Sequence, residues 1–231
     1  MTKENTLKQQ VLEVILNCRP IIAGPIFGKD GFISPTNPSA KNCLTDARFI
    51  QLFPLAAKAV IPSSLQIDVV CGVESTGIAA AALVAYALQK PFAYVRKQAK
   101  PYGQRKTILG DVAGKRVLMV DDLIFYGETK DQALKYIREN GGEVVGLFVI
   151  FTMDPQSKRW AKQNKIPIIK LFDRQELYQA AVERGMISQA LFDLEQTIYN
   201  HGKFMVWHTK PKLWHRYREV MQTDQLFKKS S

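Results

Sequence analysis

Between Val117 and Thr129 the chain reads VLMVDDLIFYGET: four apolar residues, two adjacent carboxylates, a glycine-containing turn and the start of a helix. The first N–H groups of a helix have no intrahelical partner and sit at the positive end of its dipole, so a turn of this kind is an anion site. Carboxylates beside it make chemical sense if they accept from sugar hydroxyls or approach a magnesium ion carried by phosphate. On an extended chain Asp121 and Asp122 point to opposite sides, which predicts that they do not share one environment. The plainer alternative is that the aspartates end a strand while Thr129 and Gln132 form a capping box.

Two further segments could handle anions. Arg96, Lys97 and Lys100 place three positive charges within five residues, and the glycine-containing stretch after them, to Gly110, reads as a mobile lid. A solvated basic loop is the competing reading. Glu74, Ser75, Thr76 and Gly77 fall between a predicted strand and helix, where amides and hydroxyls can hold a second phosphate.

The elements that position these groups follow from hydrophobic period. Leu7, Val11, Val14, Ile15 and Cys18 recur at helical spacing and predict a first helix ending before Pro20. The run from Pro25 to Pro38, rich in Gly, Pro and Asn, reads as turns with short extended pieces. Thr45 is placed to cap a helix running toward Val60, with Pro54 implying a kink or restart. Strands are then expected at Ile67–Val73, Phe92–Val95, Arg116–Val120, Val144–Phe151 and Ile166–Leu171. Helices are expected at Gly77–Leu88, Thr129–Asn140, Asp173–Arg184 and Ser188–Asn200. This alternation predicts an α/β fold, a mostly parallel twisted sheet flanked by helices on both faces, with ligands outside the carboxyl ends of the strands.

Composition sets the outer bounds. With 46% apolar and 23% charged residues in 231, the chain is globular rather than disordered or low-complexity. No apolar stretch approaches the ~20 residues of a membrane span, and MTKENTLKQQ reads as no leader, which predicts a cytoplasmic location. Cys18, Cys43 and Cys71 lack metal-ligand spacing and read as buried thiols of a reducing compartment. The net charge is +11, of which the last 29 residues hold +5, from seven basic residues against two acidic ones. In that tail Phe204, Trp207, Trp214, Tyr217 and Phe227 alternate with cations, a pattern open to stacking on single-stranded nucleic acid. Docking of the tail on the domain, or against a second copy, is the favoured reading. The chain is accordingly divided into residues 1–200 and a basic extension, 201–231.

The motifs resemble a known family. VLMVDDLIFYGET is similar to the 5-phosphoribosyl-1-diphosphate (PRPP) signature of type I phosphoribosyltransferases. KDGFISP (Lys29–Pro35), DVVCGVESTGIAAAA (Asp68–Ala82) and PFAYVRKQAKPYG (Pro91–Gly103) resemble, in order and spacing, orotate phosphoribosyltransferases. The resemblance runs from about Leu7 to Ile150, with a weaker echo to about Asn200. It implies a small N-terminal hood region beside the sheet, a homodimer, and magnesium held mainly through PRPP rather than by the protein. The implied reaction moves ribose 5-phosphate from PRPP to orotate, making orotidine 5-monophosphate and pyrophosphate.

Residue by residue, the resemblance implies that Lys29 reaches over the substrate and that Ser75 and Thr76 cradle pyrophosphate. Arg96, Lys97, Lys100 and Tyr102 belong to the loop that reaches PRPP, partly across the dimer interface. Asp121 and Asp122 grip the ribose hydroxyls, and Leu123, Ile124, Phe125, Tyr126, Gly127, Glu128 and Thr129 form the loop for the 5-phosphate. The catalytic roles fall to Lys100 and Asp122.

The chain departs from the family at several of these positions. Phe125 and Glu128 stand where Thr or Ser is usual, Tyr102 where the lid commonly has His, and Pro155 where an Arg faces orotate. Asn37-Pro38 replaces a more usual aromatic or apolar pair, and Lys158 or Arg159 is placed to supply the missing cation. A Glu128 carboxylate about 4 Å from the phosphate would repel it by about 4 kcal/mol at an effective dielectric near 20, whereas turned outward it would favour the helix start. Two rivals therefore stay open: a phosphoribosyltransferase for another base, and a non-catalytic relative that binds a ligand or nucleic acid.

Overall fold

The computed structural model describes residues 2–27, 33–97, 107–153, 155–200 and 204–228. Their contacts divide the chain into two units, one of residues 1–18 and 40–173, the other of residues 19–39 and 174–231.

The first unit is the α/β body. Helix α1 (Lys3–Asn17) is capped by Thr2, whose hydroxyl accepts from the Asn5 amide, and it buries Val11, Val14 and Ile15. A 3-10 turn (Lys41–Thr45) leads into α2 (Ala47–Val60), whose cap is Asp46 rather than Thr45. The Asp46 carboxylate accepts from Arg48 N at 2.7 Å and Phe49 N at 3.2 Å, and α2 runs through Pro54 as one helix, without a restart.

Strands β3 (Val69–Val73), β4 (Phe92–Val95), β5 (Ile108–Leu109), β6 (Arg116–Ile124), β7 (Glu143–Thr152) and β8 (Ile168–Asp173) form one sheet in the order β5-β4-β3-β6-β7-β8. All pairings are parallel except that of the short edge strand β5, which lies at the end of the stretch read as a lid. Helices α3 (Thr76–Leu88), α4 (Glu128–Glu139) and α5 (Gln156–Asn164) follow β3, β6 and β7, α5 being unexpected from the sequence. The connection from β3 to β4 steps one way along the sheet and that from β6 to β7 the other, so right-handed crossovers set α3 and α4 on opposite faces. Val69, Cys71, Val117, Met119, Leu147 and Val149 fill the core with Ala133, Ile137 and Trp160 from the helices. Cys43 and Cys71 are buried, while Cys18, expected to be so, is only half-buried.

In the second unit the short extended pieces expected in Pro25–Pro38 are the end of β1 (Ile21–Phe27) and the whole of β2 (Ile33–Pro38), which pair as an antiparallel hairpin. The pairing is irregular between Ala23 and Ile26, where Gly24 and Pro25 fall, so the missing proline N–H does not interrupt a regular ladder. Helices α6 (Arg174–Glu183) and α7 (Gln189–Asn200) lie where expected. The tail adds a 3-10 turn (Phe204–Thr209), α8 (Pro211–Thr223) and α9 (Gln225–Lys228). Its Trp207 and Tyr217 are fully buried and edge-on to each other, and the Trp207 indole donates to the Ile33 carbonyl. Among the described residues no helix is long and apolar enough to cross a membrane.

Candidate active site

Sheet order locates the crevice. From β3 the chain moves outward to β4, and β6 later enters on the other side of β3, so the order reverses between β3 and β6. Open α/β sheets bind ligands at such a point, outside the carboxyl ends of the strands. Pairing of β6 with β3 stops at Gly72 and Val120, while pairing with β7 continues to Ile124 and Thr152. The last residues of β6 therefore project beyond β3, with the turn after β3 facing them.

Asp121 and Asp122 lie inside β6, not after it as the sequence suggested, because β7 keeps pairing with the strand past Val120. Both are buried, yet differently, as expected of opposite sides of a strand. Asp121 lies 2.5 Å from the Lys130 ammonium, and its Oδ1 accepts the Asp122 amide at 2.8 Å. Burial pushes the Asp121 carboxyl up to about 6 against the pull of Lys130. Asp122 Oδ1 accepts the Leu123 amide at 3.0 Å.

The phosphate-loop residues Leu123 to Thr129 close β6 and open α4. Leu123 and Ile124 are still strand, and Phe125 and Tyr126 form an edge-on aromatic pair with centroids 4.2 Å apart. Gly127 has φ +95°, and a β-carbon there would collide with the Trp160 indole, so only glycine serves this turn. Trp160 also donates to Asp131 Oδ1 at 2.6 Å, fastening α5 to the first turn of α4. Helix α4 begins at Glu128 without a side-chain cap, so the Thr129–Gln132 capping box does not form. Gln132 donates instead to the Lys97 carbonyl at 3.2 Å and the Tyr136 hydroxyl at 3.1 Å. Glu128 is exposed in the first turn, where the helix dipole favours a carboxylate.

Across the crevice, Thr76 opens α3 and is buried, while Ser75 is exposed and makes no capping bond. Glu74 turns toward the basic loop, accepting the Lys97 amide at 2.7 Å. Arg96 donates to the Tyr94 hydroxyl at 3.2 Å and lies over that ring. Glu74, Arg96, Lys97, Thr129 and Gln132 line one narrow cleft, which brings the turns after β3 and β4 to the start of α4. Lys29, Lys100 and Tyr102 lie outside the described residues, as does most of the expected lid. Pro155 is the N-cap of α5, and Lys158 and Arg159 are exposed on that helix. Arg159 is close enough to Tyr126 to act on its hydroxyl, which burial pushes up to about 12.

Sequence reading missed Lys130. A cation in the first turn of a helix opposes the dipole, and that misfit was the available signal of a buried partner.

A crevice at the sheet's reversal, with an acidic pair on the inner strand and two helix-opening turns facing it, is the arrangement of a type I phosphoribosyltransferase. The profile of the phosphoribosyl transferase domain matches residues 47–176. Orotate phosphoribosyltransferase from Pyrobaculum calidifontis is 37% identical over 135 residues, 52% of this chain and 70% of that protein. The enzyme of the same name from Lactobacillus johnsonii is 29% identical over 225 residues, 93% of this chain and 97% of that one. In fold, the crystal structure of orotate phosphoribosyltransferase from Aeropyrum pernix aligns with a TM-score of 0.65 at 22% identity, covering 74% of this chain and 97% of that one. The chain belongs to the orotate phosphoribosyltransferase family.

Proposed function

We propose that the chain transfers the 5-phosphoribosyl group of PRPP to orotate, releasing pyrophosphate and making orotidine 5-monophosphate. The carrying observation is the projection of Asp121 and Asp122 beyond β3, into a crevice bounded by two amide-bearing turns.

In this reading the amides from Phe125 to Thr129 take the 5-phosphate at the positive end of α4, and the acidic pair of β6 supplies a carboxylate to fix the ribose. The bond from the anomeric carbon to the diphosphate breaks as that carbon bonds to a pyrimidine nitrogen, and negative charge collects on the leaving diphosphate. Ser75, Thr76 and the amides opening α3 meet that charge on one side, and Arg96 and Lys97, with Lys100 from the adjoining segment, on the other. Magnesium would neutralise diphosphate oxygens. Hard carboxylate oxygens at the end of β6 are the donor type it accepts, through water, with most of its shell supplied by the substrate.

A homodimer fits the character of α3, which carries no charged residue yet exposes Ala79, Ala82 and Tyr86, the last at 81%. A helix apolar all round is ordinarily covered.

The test is pyrophosphate release from magnesium PRPP across a panel of bases, with calorimetry of PRPP alone. Release with orotate is expected. Release only with a base lacking a carboxylate would point to Pro155 as the cause and replace orotate, and no PRPP binding at all would refute the enzymatic reading.

A further inference from the structure

Asp121 is enclosed on three sides. Its Oδ1 takes the Asp122 amide, Lys130 lies 2.5 Å from Oδ2, and a β-carbon on Gly77 would stand 2.8 Å from Oδ1, so the first turn of α3 runs directly over the carboxylate. Lys130 is itself only 7% exposed. A buried ammonium is stable only with a close counter-charge, and here the helix dipole adds to the cost of placing it in a first turn. Neither burial nor the helix dipole therefore gives a reason for a lysine at this position; its ion pair with the strand does.

The pair has two consequences for the phosphate turn. It joins the start of α4 to the end of β6, and the peptide groups between those anchors are the ones that would take the 5-phosphate. It also cancels one of two adjacent negative charges next to the site of a polyanionic donor. With both carboxylates uncompensated, each would repel the donor's phosphates across the short distances of a crevice whose effective dielectric is well below that of water.

Resting on the function proposed above, we infer that Lys130 is a positioning residue of the donor site. Through Asp121 it latches the first turn of α4 to β6, and it leaves Asp122 as the member of the acidic pair that meets the sugar. The two aspartates, alike in sequence, thereby do different work.

The test compares Lys130→Met, Lys130→Arg, Asp121→Asn and the double variant Asp121→Asn/Lys130→Met in the full chain. Each is followed by PRPP calorimetry with magnesium, by kcat and KM, and by amide exchange of the ligand-free protein. Lys130→Met is expected to weaken PRPP binding by about tenfold or more, chiefly in KM, while Lys130→Arg stays within about threefold of the wild type. The double variant, with no charge left to compensate, is expected to bind PRPP about fivefold or more tighter than Lys130→Met alone.

A double variant that binds PRPP more weakly than Lys130→Met would show that Asp121 itself grips the sugar and would overturn the assignment. So would a Lys130→Met protein that melts lower but keeps its KM, since the lysine would then be structural only. If Lys130→Met does not fold, Lys130→Gln carries the same comparison. Should the wild type bind no PRPP, the proposed function falls, and exchange still judges the latch. Faster exchange in Lys130→Met at residues 129–133, with residues 134–137 unchanged, supports it, and equal exchange refutes it.

Discussion

Gly127 is where one side chain decides the geometry of a whole turn. Its positive φ and the Trp160 indole pressed against it leave no room for a β-carbon, so Gly127→Ala must move either the backbone or the tryptophan. Strain of this kind costs about 2 kcal/mol, and the same shift would take the turn's amides off a bound phosphate. Gly127→Ala is therefore expected to lower stability by that amount in urea titration and to raise the KM for PRPP by about tenfold, with PRPP affinity unchanged if the turn is unimportant. Much of the site was legible in the sequence because its chemistry is local: the acidic pair, the glycine turn and the helix start are consecutive. What stayed hidden depends on contacts across the fold. Trp160 lies 33 residues beyond Gly127 on a helix with one buried apolar anchor, too little for a hydrophobic period to register. Glu128, an apparent obstacle to phosphate when read as a letter in the motif, is exposed at the helix start.

Among the elements, those set by burial were the easiest to read. Strands β3, β6 and β7 are continuous apolar runs because both of their faces are covered, and α1 shows its period because one stripe is buried. The hairpin was harder, since Gly and Pro ordinarily break ladders, and only the irregular pairing between Ala23 and Ile26 makes room for Gly24 and Pro25. Strand ends were also displaced: β6 continues through two aspartates because β7 offers it a partner there, and no propensity scale would extend a strand through Asp-Asp. At the start of α2 the choice between Thr45 and Asp46 was a matter of one position. Asp46 accepts two amides there, so Asp46→Ala is expected to cost about 1 kcal/mol in urea unfolding, while Thr45→Ala, outside α2, costs a few tenths at most. An equal loss from both would mean that the cap is shared.

Taken whole, the chain has one unit for chemistry and another whose core is unusually polar. In the second, Glu195 is fully buried, accepting from the Thr36 hydroxyl, with Arg174 at 3.8 Å; Tyr178 shares a 2.5 Å hydrogen bond with Thr36, and Arg174 lies over the Tyr199 ring. Two of the tail aromatics belong to this core, Trp207 and Tyr217 at 0% exposure, so those two rings are not available as stacking platforms for a nucleic acid. Burial pushes the Glu195 carboxyl up to about 7 despite Arg174, and the unfolded chain would return it to about 4.5. A carboxyl that holds its proton more tightly when folded contributes stability present in full below the unfolded value and lost as pH rises through the folded one. Unfolding of the second unit should thus become easier between about pH 4.5 and 7, opposite to the trend set by Asp68, whose pairing with Arg116 holds its carboxyl below the usual range. Trp160→Phe leaves Trp207 and Trp214 as the only tryptophans, so fluorescence then follows the second unit alone. In that background Glu195→Gln, which cannot titrate, is expected to flatten the slope between pH 5 and 7. A slope that survives the substitution would assign the titration to another group and leave Glu195 neutral or paired across the whole range.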